Sequence, residues 1–171
     1  MADFAAAIVG AAEGLPRPLG LCGWSLGGLA AMMAARQVQP DRLVVLEPSA
    51  PAEVQGLDPA VPLEQGLLDP EATYGAFPPG IAARPDSRLA RAERKRGISV
   101  PSLPCPTLVV YGDELPEDRG AAVAARYGAE SLYVPGAGHW DLVLDAKIRR
   151  AVAAWLSLGS EERRLVEGGT P

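Results

Sequence analysis

Gly23-Trp24-Ser25-Leu26-Gly27, followed directly by Gly28, is the segment that most restricts what this chain can become. Leu19 to Cys22 before it is a short apolar run with the pattern of a buried strand. A helix begins at about Leu26, carries apolar residues at Leu29, Met33 and Val38, and stops at Pro40. Ser25 therefore falls on the turn between a strand and a helix. A serine used as a nucleophile must project from a sharp, strained turn, where side chains two positions away would collide. Glycine at 23 and 27 removes those collisions. The amide of Leu26, at the helix N-terminus, would face a developing oxyanion with the helix dipole behind it. The competing reading is a glycine-rich turn with no chemistry.

A serine hydroxyl is not nucleophilic near neutral pH without a base to take its proton. The chain holds one histidine, His139, in the run Gly136-Ala137-Gly138-His139. That run follows the last strand, which is where a base would be needed by chain order. The plainer alternative is an ordinary surface or core histidine.

The rest of the pattern alternates strands with helices. Phe4, Ile8 and Ala11 recur at helical spacing and Gly14-Leu15-Pro16 ends that helix. Leu43 to Leu46 and Thr107 to Tyr111 read as buried strands, Ala121 to Tyr127 as a short helix, and Ser131 to Val134 as the last strand. Ile148, Val152, Trp155 and Leu156 make one face of a final helix. This order predicts an α/β fold, a mostly parallel sheet with helices on both faces. Residues 1–171 read as one domain. Within it, 48–105 are proline-rich and without period, an excursion read as a lid or cap, and 159–171 read as a flexible tail. Arg88, Arg91, Arg94, Lys95 and Arg96 form a basic helical stretch in that excursion, read first as a solvated face and second as a contact for an anionic substrate group.

Composition removes several function classes. A hydrophobic fraction of 48% and a charged fraction of 22% are ordinary for a soluble globular protein. A net charge of -5 argues against nucleic-acid or anionic-membrane partners. Cys22 and Cys105, with one histidine, make neither a disulfide framework nor a metal site, so no metal is expected. The apolar Phe4 to Ala12 lacks a basic residue before it, no run has transmembrane length, and the expected location is cytoplasmic.

Three further segments carry a family resemblance. Pro106-Thr107-Leu108-Val109-Val110-Tyr111-Gly112-Asp113 resembles the strand that precedes the catalytic acid of the α/β-hydrolases. Val134-Pro135-Gly136-Ala137-Gly138-His139 resembles their histidine loop, and Leu46-Glu47-Pro48-Ser49-Ala50-Pro51 is similar to their sixth strand and cap entry. The resemblance implies acyl-transfer chemistry on a small ester, thioester or lactone, through an acyl-enzyme on Ser25 with His139 as base and no organic cofactor. It does not specify the substrate, because the fold hosts many chemistries. Trp24, beside Ser25, either lines an acyl pocket or packs in the core.

The chain departs from the family in two ways. The position where many members place the acid is Leu115 here. Asp113 then ranks first as the acid, Glu114 second and Glu47 third, with Asp118 and Asp141 more plausible as solvated charges. Secondly, Ser25 comes near the start, so the early strands, and the loop that donates a second oxyanion amide, have no counterpart before it. An N-terminally reduced sheet would expose an edge, predicting self-association through it. The alternative to a serine hydrolase is then a weak or inactive binding module of the same fold.

Overall fold

The computed structural model describes residues 1–55, 76–80, 92–94, 96–113 and 120–167, with backbone only for residue 55 and residues 158–167. Among the described residues, four strands form one parallel sheet in the order β1-β2-β3-β4. They are β1 (Gly20–Trp24), β2 (Arg42–Leu46), β3 (Thr107–Tyr111) and β4 (Glu130–Tyr133). The register is continuous, Gly23 opposite Val45, Val45 opposite Val109 and Val109 opposite Ser131.

Alternation along the strands divides the core in two, because successive side chains point to opposite faces. Leu43, Val45 and Val109 face α2 (Leu26–Val38) through Leu29 and Met32, and α4 (Gly120–Tyr127) through Val123. Val44, Leu46, Leu108 and Val110 face the other way. There they meet Leu142 of α5 (Asp141–Leu144) and Ile148, Val152 and Trp155 of α6 (Ala146–Glu167). The helix α1 (Ala2–Ala12) lies on α2, with Ala5 buried against Ala34 and Val38. A sheet covered on both faces needs strands apolar on both faces, and β2 and β3 are built that way.

Two expectations are corrected. β1 was expected as a buried strand at Leu19 to Cys22; it runs one residue past Gly23, and Gly20 and Cys22 are exposed. The cause is its place at the sheet edge, where β2 is its one strand neighbour among the described residues. The final helix does not end before Gly159 but continues to Glu167. One glycine inside a helix costs only about 1 kcal/mol, and Ser160 to Glu167 are otherwise tolerable helix formers. Two single-turn helices, α3 (Ala52–Gln55) and α5, have no readable period at that length. Most of the expected lid, including Arg88, Arg91 and Lys95, lies outside the described residues. None of the described helices is long and apolar enough to cross a membrane.

Candidate active site

Ser25, Glu47 and His139 lie at or just beyond the carboxyl ends of β1, β2 and β4, the side of an open parallel sheet where ligands bind. Backbone hydrogen bonds tie the first two to the neighbouring strands. Ser25 N–H donates to the Leu46 carbonyl at 2.9 Å, linking the end of β1 to that of β2. Glu47 N–H donates to the Val110 carbonyl at 2.7 Å, linking β2 to β3.

Ser25 sits at φ 54 and ψ -126, at the cap of α2, and its side chain makes no capping hydrogen bond. A residue with a Cβ is strained there, by about 1–3 kcal/mol. The turn is over-determined by its surroundings. The Ser25 carbonyl accepts from Gly28 N–H at 2.9 Å and from Ser49 N–H at 3.0 Å. The glycines do not share the work as the motif suggests. A Cβ on Gly23 would meet the Gly27 carbonyl oxygen at 2.5 Å, and one on Gly28 would meet Pro48 Cβ at 2.8 Å, whereas one on Gly27 meets open space. Gly23→Ala should therefore lower stability by about 1–3 kcal/mol through overpacking. Gly27→Ala should be neutral or stabilising by up to about 1 kcal/mol from helix propensity. Urea midpoints of the two variants check this contrast, and equal shifts would refute it.

Glu47 is the second non-glycine residue at positive φ in this region, at φ 40. The only other such residue among those described is Gln39, an ordinary left-handed cap at the end of α2. Strain of this kind concentrates at functional sites, and here it falls on Ser25 and Glu47. His139 Nδ1 faces Glu47 Oε2 at 2.5 Å, with each side chain 2% exposed. Nδ1–H donates to the carboxylate, which leaves Nε2 on the opposite edge of the ring.

Of the carboxylates ranked as acids, the one that faces the imidazole is Glu47, placed third. Asp113, placed first, is turned to other partners: it accepts from the Tyr133 hydroxyl and, at 2.7 Å, from Gly136 N–H. Those two donors hold the exposed Asp113 carboxyl below its ordinary pKa. The physical reason is the glycine before it, which is pressed against the Ala137 carbonyl and carries the chain along the histidine loop. Glu114, placed second, and Asp118 lie outside the described residues. Asp141 accepts from Gly138 N–H at 2.9 Å.

Trp24 serves the histidine loop as much as any pocket. Its Nε1–H donates to the His139 carbonyl at 3.2 Å, and its ring lies 4.6 Å from the imidazole and 5.0 Å from the Trp140 ring. Phe77 packs on Trp140 at 5.2 Å. Phe77 and Trp140 were missed from the sequence, where two isolated aromatics have no readable period. Leu26 is the first residue of α2, so its N–H has no acceptor within the helix. Of the basic stretch, Arg94 donates to Ser49 Oγ at 3.4 Å, one residue removed from the Ser25 carbonyl.

The alpha/beta hydrolase family model matches residues 1–154, most of the chain. The chain belongs to the alpha/beta hydrolase family. No curated protein matches it in sequence. Among solved structures, this family member is similar to the RedJ thioesterase of the prodiginine pathway in Streptomyces coelicolor. The two share 24% identity and a TM-score of 0.53 over 90% of this chain and 65% of that one. It is similar to a monoacylglycerol lipase from Paleococcus ferrophilus, at 20% identity and a TM-score of 0.57 over 91% of this chain and 74% of that one. Human thioesterase 2 gives a TM-score of 0.60 at 15% identity, over 92% of this chain and 82% of that one. At these identities the likeness is one of fold.

Proposed function

We propose that this chain is a serine hydrolase of small esters or thioesters, working through an acyl-enzyme on Ser25. The observation that carries the reading is the buried Glu47–His139 pair at the end of the strand paired with β1, whose end holds a serine at positive φ. Ser25 Oγ attacks the acyl carbonyl while His139 Nε2 takes its proton. Glu47 holds the imidazole by Nδ1–H and stabilises the imidazolium that forms. The carbonyl oxygen, now an oxyanion, faces the Leu26 amide at the positive end of α2. Collapse expels the alcohol or thiol, which leaves with the proton from His139. Water then attacks the acyl-serine with His139 again as base, releasing the carboxylic acid and restoring Ser25.

The ester or thioester class is supported by what the similar structures are named for, two thioesterases and one lipase. Trp140, 6.2 Å from the imidazole, and Phe77 packed on it supply the apolar wall of the acyl site. The test is turnover of p-nitrophenyl esters and acyl-N-acetylcysteamine thioesters of increasing acyl length by the whole chain. Hydrolysis with an initial burst of leaving group, one per active site, is the expected result. Absence of turnover above buffer on both series would instead favour a binding module of the same fold.

A further inference from the structure

Outside the proposed triad, the least explained carboxylates among the described residues are Asp113, ranked first as the acid from sequence, and Asp141, read there as a solvated charge. The loop from Val134 to Trp140 runs on from the end of β4 outside the sheet, yet it must hold one imidazole in place. Its backbone groups need partners, and the partners are specific. Ala137 N–H closes a tight turn onto the Val134 carbonyl at 3.2 Å. The His139 carbonyl accepts from Trp24 at 3.2 Å, and the Gly138 carbonyl from Leu142 N–H at 3.3 Å. The Val134 N–H donates to the Tyr111 carbonyl at 2.9 Å, and two further amides, at alternate residues, go to carboxylates from before and after the loop in the chain. Gly136 N–H donates to Asp113 Oδ2 at 2.7 Å, and Gly138 N–H donates to Asp141 Oδ2 at 2.9 Å. Asp113 also holds the end of β4 through the Tyr133 hydroxyl and returns its own N–H to the Ala137 carbonyl at 3.3 Å.

We infer that Asp113 and Asp141 are positioning residues that clamp the His139 loop, one from before it and one from after it in the chain. They act through the geometry of their acceptor oxygens, and Glu47 supplies the charge at the imidazole. A carboxylate is a strong acceptor for an amide, and two of them flank the residue whose placement is most sensitive. The division of labour has a direct chemical signature. Asparagine at 113 reproduces the shape: Oδ1 accepts from Gly136 N–H while Nδ2 donates to the Tyr133 oxygen. A residue that works by charge is not rescued by its amide, whereas one that works by geometry is.

The functional part of this inference rests on the Ser25–His139–Glu47 reading, so its test has one arm that does not need turnover. His139 is the only histidine, so its ring protons and the Nδ1 proton shared with Glu47 are single, assignable NMR signals. Asp113→Ala and Asp141→Ala should each shift or broaden those signals, and Asp113→Asn should leave them near the wild-type positions. In the kinetic arm, each alanine variant should lower kcat about tenfold with KM within about twofold, and Asp113→Asn should keep at least about a third of wild-type kcat. If Asp113→Ala does not fold, Tyr133→Phe, which removes one hydroxyl from the same carboxylate, should move the signals in the same direction by less. Unchanged histidine signals in the alanine variants overturn the clamp, as does an Asp113→Asn variant as impaired as Asp113→Ala. A wild-type protein without turnover would strike at the triad reading and leave the NMR arm to decide the clamp.

Discussion

Ser25→Ala should abolish covalent labelling by a fluorophosphonate probe and lower kcat on any accepted ester by at least about 10⁴-fold. The size follows from what the substitution removes. Alanine keeps the fold of the turn but has no oxygen to form the acyl-enzyme, so catalysis falls to what binding and the Leu26 amide achieve alone. In well-characterised serine hydrolases, losing the nucleophile costs about as much as losing the whole triad. The variant should be no less stable than wild type, because Ser25 makes no side-chain cap and φ 54 strains serine and alanine alike. Intact-mass spectrometry after probe treatment reads the first part and thermal melting the second. One probe adduct on wild type and none on Ser25→Ala is the expected pair. Equal labelling of the two would remove Ser25 from the chemistry.

Glu47→Gln should be the most damaging substitution of a carboxylate in the chain, lowering kcat by about 10³- to 10⁴-fold. Glu47 and His139 are both excluded from solvent and 2.5 Å apart, so nothing screens their interaction. Glutamine can turn its NH₂ toward Nδ1, which favours the tautomer with the proton on Nε2. That nitrogen then cannot accept the proton of Ser25, and the imidazolium loses the charge that stabilises it. Breaking a buried pair from one side is also destabilising, by about 3–5 kcal/mol when it strands a charge. Neutral glutamine against a neutral imidazole should show less than that. Activity should therefore fall far more than stability. Asp113→Asn in parallel is the control that separates the two carboxylates. A Glu47→Gln enzyme with more than about a tenth of wild-type turnover would return the acid role to Asp113 or to Glu114.

The choice between these carboxylates shows where sequence reasoning stops. Asp113 follows the strand Thr107–Tyr111, which was legible to the residue because five branched and apolar residues end at a glycine. Glu47 follows a strand just as legible, Arg42–Leu46. Both therefore stand at the same end of adjacent strands, and periodicity cannot rank them. What ranks them is direction. Glu47 is bent to φ 40, tied by its N–H to Val110, and faces the imidazole. Asp113 leaves β3 past a glycine pressed on Ala137 and turns to the amide of Gly136.

The same limit appears at the serine. That Ser25 stands between a strand and a helix was plain from local pattern, but a Cβ on Gly27, half of the motif, would meet open space. Gly28, outside the motif, is pinned against Pro48, two residues past the end of β2. A spacing rule records which residues recur and is silent about which neighbour arrives from elsewhere in the chain.

Sequence alone determined the α/β class, the parallel strands, the serine on its turn and the single histidine. Each is set by residues adjacent in the chain, through hydrophobic period, glycine spacing and elimination. The tertiary structure decided which carboxylate faces His139, the hydrogen-bond partners of Asp113 and Asp141, the exposure of β1 and the packing of Trp140 on Trp24 and Phe77. Those are contacts between residues far apart in the chain, 115 positions for Trp24 and His139. Their energy depends on direction and burial, which arise only when the sheet has assembled.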